Sequence, residues 1–109
     1  MITVFSKFQL RPGLTREVAM EEIQETIGWY KGREGCIRKY ICLNWEERYG
    51  YGVYLWESRE LAEEFYAQAT KEIERQTGST PEILYFDVPV IVDNLTGEVF
   101  VDGELVDES

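Results

Sequence analysis

An α+β fold, with a four-stranded antiparallel sheet and two helices on one of its faces, is predicted by three observations. Alternating apolar residues indicate four strands, apolar residues at helical spacing indicate two helices, and the two patterns follow each other in the order β-α-β-β-α-β. The chain has 109 residues and is 44% hydrophobic, which is enough for one core. We therefore expect one domain over residues 1–94, followed by an acidic hairpin or tail over residues 95–109.

The first half of the chain predicts a helix between two strands. Residues 1–10 alternate between apolar and other side chains, and a Pro-Gly turn signal follows them. Apolar residues then recur at helical spacing over residues 15–30, beginning with a threonine suited to an N-cap and ending before Gly32. Residues 36–44 alternate again, which indicates the second strand.

The second half predicts a strand, a helix and a final strand. A polar turn over residues 44–50 leads into the third strand, residues 51–57. The second helix is expected between Ser58 as its N-cap and Gly78 as its stop signal. The fourth strand is predicted after Pro81 as far as Val92, with a bulge or an edge at the proline within it. Right-handed crossovers place both helices on one face, so the predicted fold is ferredoxin-like.

The charge of the chain argues against two classes of partner. The sequence has 11 basic and 21 acidic residues, and its net charge of -10 repels phosphate backbones and anionic lipid headgroups. Six of the acids and none of the bases follow residue 92, where Asp102-Gly103 is typical of a hairpin turn. We therefore expect no nucleic acid and no membrane partner. The lack of a long apolar run and of a basic leader favours a cytoplasmic protein.

Both faces of the third strand are apolar, which predicts a homodimer. Because both helices cover one face of the sheet, the other face stays open. We expect Val53 and Leu55 to pack on the helices, and Tyr54 and Trp56 to lie on the open face. A second copy packed sheet against sheet would cover this face and enclose a small space lined by Trp56. The alternative is a monomer in which Tyr54 and Trp56 are ordinary core or rim residues.

Three segments resemble a known group of proteins. They are G52-V-Y-L-W-E-S58 with the helical residues that follow, G35-C-I-R-K-Y40, and P81-E-I-L-Y-F-D-V-P-V90. Together they are similar to the dimeric α+β barrel superfamily, and within it to the small mono-oxygenases related to antibiotic-biosynthesis mono-oxygenases. The resemblance covers about residues 1–94 and implies the fold and the dimer. The resemblance alone does not determine the reaction, because the superfamily also includes haem-degrading enzymes, haem peroxidases and isomerases.

The resemblance implies oxygenation without a cofactor, in which a deprotonated phenol-like substrate itself reduces oxygen. Such a reaction needs an aromatic pocket, a base and a cation that holds the anion. The sequence contains no histidine, which argues against haem breakdown. It also has no glycine-rich phosphate loop and no Cys/His cluster at metal spacing. We therefore expect neither a cofactor nor a metal ion.

The candidate site residues lie on the predicted strands. Lys7, Arg38 or Lys39 would supply the cation, and Tyr40 or Asp87 would accept the proton; Lys39, Tyr40 and Asp87 are the predicted catalytic residues. The predicted substrate-binding residues are Phe5, Lys7, Arg38, Tyr54 and Trp56. A slip of one residue in the second strand would exchange Arg38 and Tyr40 for their neighbours, so the face of residues 36–44 that lines the pocket is left open.

A function of another class fits the same sequence. The chain would then form a non-catalytic homodimer that binds a small hydrophobic molecule, or a structural dimer with a filled interior. A space between the sheets that reaches solvent and holds a buried ionisable group would favour the enzyme. Aromatic side chains that fill this space would favour the structural protein.

Overall fold

A computed structural model describes residues 1–108, and Thr77 through its backbone alone. Within these residues the chain forms, in order, β1 (Ile2–Gln9), α1 (Arg16–Glu25), α2 (Ile27–Tyr30), β2 (Cys36–Asn44), β3 (Tyr49–Trp56), α3 (Arg59–Thr77), β4 (Glu82–Asp87), β5 (Val90–Asp93), β6 (Glu98–Val101) and β7 (Glu104–Asp107). The predicted α+β ferredoxin-like fold is confirmed over β1 to β4. Ser109, the last residue of the predicted tail, lies outside the described residues. None of the described helices is both long and apolar enough to cross a membrane.

The main sheet is antiparallel throughout, with the strand order β2-β3-β1-β4. Side chains alternate between its two faces, so the register sorts them into rows. One row on the helix side consists of Lys39, Tyr54, Val4 and Tyr85. The adjacent row, on the open face, consists of Tyr40, Val53, Phe5 and Leu84. The register therefore places Lys39, and not its neighbour Tyr40, under the helices.

The faces predicted for β3 are the reverse of those observed. Trp56 is fully buried and Tyr54 is 3% exposed, and both belong to the core that the sheet forms with the helices. Val53 and Leu55 are half-buried on the open face instead. The helix side accepts the larger side chains because Gly52 leaves room for the Tyr54 ring, which lies where a Cβ atom of residue 52 would be.

The core between β3 and α3 is aromatic. The Trp56 ring lies 5.3 Å from the Phe65 ring and 5.8 Å from the Tyr66 ring. Both ends of α3 are as predicted: the Ser58 hydroxyl accepts a hydrogen bond from a backbone N–H in the first turn, and Gly78 ends the helix at a φ of 74°. These caps fix the helix that covers Trp56.

The helix predicted over residues 15–30 is divided into α1 and α2. Thr15 caps α1 as predicted, because its hydroxyl accepts a hydrogen bond from the Val18 N–H. At Thr26 the hydroxyl donates to the Ile23 carbonyl oxygen over 2.7 Å, a local bond that competes with the helical backbone. The backbone N–H of Thr26 also turns back to Ile23, and α2 begins at the next residue. Thr26 therefore lies at the junction of α1 and α2, where its hydroxyl contacts Lys39 on β2.

The fourth strand is shorter than predicted. β4 ends at Asp87, and the chain leaves the main sheet at Pro89, which has no N–H for a ladder. β5 then pairs with β6, and β6 with β7, in a second antiparallel sheet. The predicted turn at Asp102-Gly103 is confirmed, since both residues have the positive φ angles that a tight hairpin needs.

The second sheet extends the molecule. The longest dimension is 47 Å, and the radius of gyration is 15.2 Å, whereas about 13 Å is typical of a compact chain of this length. An ion pair of 2.7 Å between Arg38 on β2 and Asp93 on β5 links the two sheets. The division into residues 1–94 and 95–109 stays a prediction, although β5 pairs with a strand of the tail.

Candidate functional site

A cavity of about 80 Å³ lies between the helix side of the main sheet and the helices. Its lining includes Ser6, Thr26, Tyr30, Lys39 and Tyr54, and we name it the tyrosine cavity after the two phenols. A buried water needs roughly 10–15 Å³ of such space and occupies about 30 Å³ of liquid. The cavity therefore has room for a few waters, and a single aromatic ring is the largest group that it could enclose.

Three tyrosines pack beside one another at this cavity. The Tyr30 ring stacks on the Tyr54 ring at 5.2 Å, and the edge of Tyr66 meets Tyr54 at 5.4 Å. The Tyr54 hydroxyl lies 3.4 Å from the hydroxyl of the buried Ser6. Burial raises the pKa of all three phenols above its ordinary value. They stay neutral near neutral pH and can donate hydrogen bonds, but they are poor bases.

Lys39 supplies the positive charge of the cavity. Its Nζ donates to the Thr26 hydroxyl over 3.0 Å and lies 3.9 Å from the centre of the Tyr30 ring. Burial lowers the pKa of Lys39 to about 8, although the Cys36 thiol acts in the opposite direction. Among the described residues, no carboxylate pairs with Lys39. Near neutral pH this amine can therefore serve as a cation or, once deprotonated, as a base.

An ion pair between Arg11 and Glu22 lines the side of the tyrosine cavity that is formed by α1 and the loop before it. Two nitrogen atoms of Arg11 donate to the two carboxylate oxygens of Glu22 over 2.9 and 2.6 Å. The hydrogen bonds from Arg11 hold the pKa of the Glu22 carboxyl below its usual range. Arg48 donates to the backbone carbonyls of Arg11 and Leu14, which fixes the loop before α1. The Glu22 charge is thus engaged by Arg11 rather than by Lys39.

An open groove along the edge strand β2 adjoins the tyrosine cavity. Its lining is mostly apolar and includes Ile27, Ile37 and Leu43. Tyr30 and Lys39 line both the groove and the tyrosine cavity. These two side chains therefore lie between the solvent at the sheet edge and the interior.

The structure brings together only part of the predicted site. Lys39 and Tyr54 line the tyrosine cavity, and Trp56 lies in the core next to it. Four further candidates lie on the open face of the sheet: Phe5, Lys7, Arg38 and Tyr40. Asp87 is exposed at the end of β4. The prediction that Trp56 lines a space between two sheets is wrong, because Trp56 contacts the helices.

Four residues of this region are not predicted from the sequence: Ser6, Thr26, Tyr30 and Tyr66. Tyr30 and Tyr66 are apolar ring positions within the two predicted helices, where nothing in the sequence marks them as part of a site. One signal was present in β1, where Ser6 interrupts a run of apolar residues on the helix side. A hydroxyl at such a position indicates a polar partner in the core, and the structure supplies Tyr54.

Comparisons with known proteins identify the fold. No protein-family model matches the sequence, and no curated protein matches it. A candidate antibiotic biosynthesis monooxygenase from Bordetella bronchiseptica matches with a TM-score of 0.62 and 18% identity, over 80% of this chain and 95% of that chain. A protein from Mycobacterium tuberculosis matches with a TM-score of 0.62 and 14% identity, over 80% and 93% of the two chains. A candidate antibiotic biosynthesis monooxygenase from Deinococcus radiodurans matches with a TM-score of 0.60 and 9% identity, over 85% and 97%.

At these identities the likeness concerns the fold. It agrees with the resemblance of the three sequence segments, which lie on β2, on β3 with the start of α3, and on β4 with the start of β5. This chain therefore has the ferredoxin-like α+β fold found in proteins described as antibiotic biosynthesis monooxygenases.

Proposed function

We propose that this chain is a cofactor-independent mono-oxygenase that oxidises a small phenol or quinol in the tyrosine cavity. The observation that carries the proposal is the position of Lys39, a half-buried amine with a pKa of about 8 at a cavity sized for one aromatic ring. Such an amine is suited to take a proton from a phenol and then to hold the phenolate beside it. The fold shared with candidate monooxygenases supports the reaction class.

The proposed reaction needs only the substrate, oxygen and the residues of the tyrosine cavity. Neutral Lys39 takes the phenol proton, and its ammonium pairs with the phenolate while the rings of Tyr30 and Tyr54 face the substrate. The phenolate passes one electron to oxygen, and the two radicals join through a new carbon–oxygen bond. The resulting peroxide takes a proton back from the Lys39 ammonium and becomes a hydroperoxide. The hydroperoxide loses its ring proton and its O–O bond breaks, so one phenol and one O₂ give one quinone and one water.

The proposed pocket lies within each protomer rather than between the sheets of two protomers. Lys39 and Tyr54 support this location because the register places both on the helix side. Lys39 also takes the role of proton acceptor that the sequence suggested for Tyr40 and Asp87, because neither of those residues lines the tyrosine cavity.

We propose that the chain forms a homodimer through the open face of the main sheet, and that it acts in the cytoplasm. The open face carries large exposed side chains, among them Phe5, Tyr40, Leu84 and Phe86. The rings of Phe5 and Phe86 already meet edge to face at 5.5 Å. A contiguous apolar sheet face of this kind is typical of a protein interface.

Oxygen uptake by the purified protein tests the enzymatic proposal. A panel of single-ring phenols and quinols should include a compound that consumes one O₂ per molecule without releasing hydrogen peroxide. Lys39→Met should abolish this uptake, whereas Lys7→Met, on the opposite face, should leave it unchanged. Uptake by wild type should increase as the pH rises towards about 8, because neutral Lys39 is the base. An active Lys39→Met variant would refute the role of the amine.

A non-catalytic homodimer that binds a small hydrophobic molecule is the second candidate function. It is favoured by the tyrosine rings, which pack on each other and leave only a small cavity. Calorimetric binding of single-ring phenols without oxygen uptake, and with the same affinity in Lys39→Met, would support this function over the mono-oxygenase.

A further inference from the structure

We propose that Lys39 also captures small aromatic aldehydes and ketones covalently, as an imine in the tyrosine cavity. This chemistry does not rest on the proposed oxygenation, because it requires no oxygen and transfers no electrons to an acceptor. It gives the protein a second class of ligand, defined by a carbonyl group attached to a single aromatic ring.

The position of Lys39 distinguishes it from the other lysines. The chain has four lysines, and Lys39 is the one that lines the tyrosine cavity. Lys7 lies on the opposite face of the sheet, with its Nζ 4.3 Å from the centre of the Tyr49 ring. Lys31 and Lys71 are exposed. A carbonyl compound held in the tyrosine cavity therefore meets one amine.

A thiol and two phenols face Lys39, and burial is what favours its neutral form. Cys36 belongs to the same strand, Tyr30 faces the amine from α2, and Tyr54 faces it from β3. Across the tyrosine cavity the Glu22 carboxylate is held by Arg11. No carboxylate among the described residues therefore offsets the burial of the ammonium, and desolvation is what activates a lysine as a nucleophile towards carbonyl groups.

The fraction of reactive amine follows from this environment. The pKa of Lys39 is lowered from 10.5 to about 8. At about pH 8 half of the Lys39 amines are neutral, compared with roughly one in 300 for an ordinary lysine. The neutral fraction is thus on the order of 100-fold larger. Part of this gain is offset because a less basic amine is a weaker nucleophile, so we expect Lys39 to react about tenfold faster than the other lysines.

The Thr26 hydroxyl is placed to move the proton in this reaction. The neutral Nζ attacks the carbonyl carbon, the carbonyl electron pair moves to oxygen, and a proton passes from nitrogen to that oxygen to give a carbinolamine. The Thr26 hydroxyl oxygen lies 3.0 Å from Nζ and can accept a proton from the nitrogen, while its own proton turns from the Ile23 carbonyl to the substrate oxygen. The carbon–oxygen bond then breaks, water leaves with the second nitrogen proton, and the C=N bond forms.

The size and access of the tyrosine cavity select the ligand. About 80 Å³ accommodates one aromatic ring but not a fused polycycle. The ring would lie against Tyr30 and Tyr54, which both line the tyrosine cavity. The groove along β2 gives a route to Lys39 from solvent, since Lys39 and Tyr30 line both spaces.

Reductive trapping tests the proposal on the full chain. The protein is incubated without oxygen with para-hydroxybenzaldehyde and cyanoborohydride at about pH 8, and modified peptides are identified by mass spectrometry. We expect Lys39 to be labelled about tenfold faster than Lys7, Lys31 or Lys71. Pyrene carboxaldehyde, which does not fit the tyrosine cavity, should show no preference for Lys39. Equal labelling of all four lysines by the small aldehyde, or slower labelling of Lys39, would overturn the proposal.

Two variants separate the reaction from the fold. Lys39→Arg keeps the positive charge and should remove the adduct, while circular dichroism and the melting temperature show that the protein is folded. Thr26→Val removes the hydroxyl and should slow labelling of Lys39 several-fold without a change in labelling of Lys31. Labelling at an unchanged rate in Thr26→Val would overturn the relay. Since the experiment excludes oxygen, a failure of the proposed oxygenation would leave the trapping result intact.

Discussion

The Trp56 indole donates a hydrogen bond to the Tyr66 hydroxyl, with 3.3 Å between Nε1 and the phenol oxygen. This bond joins β3 to α3 inside the core, where the Trp56 side chain has no solvent exposure. A buried indole N–H requires an acceptor, and the sequence alone placed Trp56 in a small space between two sheets. Tyr66 supplies the acceptor instead, so Trp56 is part of the core and supports the adjoining tyrosine cavity.

The first prediction compares the two faces of β3. Trp56→Ala should lower the free energy of unfolding by about 3–5 kcal/mol, because it leaves a large void against α3. Leu55→Ala should cost clearly less, because Leu55 is half-buried on the open face. Chemical denaturation at low protein concentration measures both. The order expected from the sequence alone was the opposite, so equal losses, or a larger loss for Leu55→Ala, would contradict the observed faces.

The second prediction concerns the space that Gly52 leaves for Tyr54. A methyl group in Gly52→Ala would overlap the Tyr54 phenol, which is packed against Tyr30 and cannot move away freely. We expect a loss of about 1–3 kcal/mol in the free energy of unfolding, together with weaker binding of phenols. Gly28→Ala is the matched control, because its Cβ would meet no atom within 4 Å. It should be neutral or slightly stabilising, since alanine favours a helix over glycine.

The contrast between β3 and α3 shows why some predictions succeed. The ends of α3 depend on local signals, and Ser58 and Gly78 act within one turn of their own helix. Alternation in β3 likewise identifies two faces, but both faces are apolar and the pattern does not say which one meets the helices. That choice depends on contacts with distant segments, such as the stacking of Tyr30 on Tyr54.

The candidate site shows the same limit. Lys39 and Tyr54 were each predicted from the sequence, yet the sequence assigned Tyr54 to the open face. Their relationship depends on the register between β2 and β3, where Lys39 is directly opposite Tyr54. Thr26, the hydrogen-bond partner of Lys39, falls inside the helix predicted over residues 15–30, so the sequence shows no sign that the helix is interrupted there. The cavity therefore emerges only when the helices are placed on the sheet.

The third prediction tests the burial of Lys39 through the pH dependence of stability. Between about pH 8 and about pH 10.5 the unfolded chain keeps this lysine protonated while the folded chain does not, so the stability of the wild type rises with pH across this window. Lys39→Met lacks this dependence. Its stability relative to the wild type should therefore be highest below about pH 8 and should decline towards about pH 10.

Denaturation of both proteins at a series of pH values measures this difference. The buried tyrosines are common to the two proteins, so their ionisation cancels in the comparison. Lys71→Met is the control, because it removes an exposed lysine from α3 and leaves the tyrosine cavity intact. A flat difference for Lys39→Met would show that the amine is not desolvated.

The fourth prediction concerns the acidic tail. Truncation after Asn94 removes β6 and β7 and leaves the edges of β5 unpaired. Because a single short strand is not stable in water, we expect a lower melting temperature or weaker self-association. Arg38→Ala removes only the exposed ion pair to Asp93 and should cost no more than about 1 kcal/mol. A truncated chain with unchanged stability and association would show that the tail contributes to neither.

The last prediction tests the homodimer through the open face. Phe5→Glu places a charge at the centre of this face, in the row of Tyr40, Val53 and Leu84. Phe5 is 42% exposed in the single chain, so the folded protomer should tolerate the change, whereas a packed interface would have to bury an unpaired carboxylate. Sedimentation at micromolar concentration should therefore show a dimer for the wild type and a folded monomer for Phe5→Glu. Leu95→Glu is the control, because Leu95 is 94% exposed in the turn between β5 and β6 and should leave the dimer intact. A wild-type monomer, or a dimer that persists in Phe5→Glu, would exclude this face as the interface.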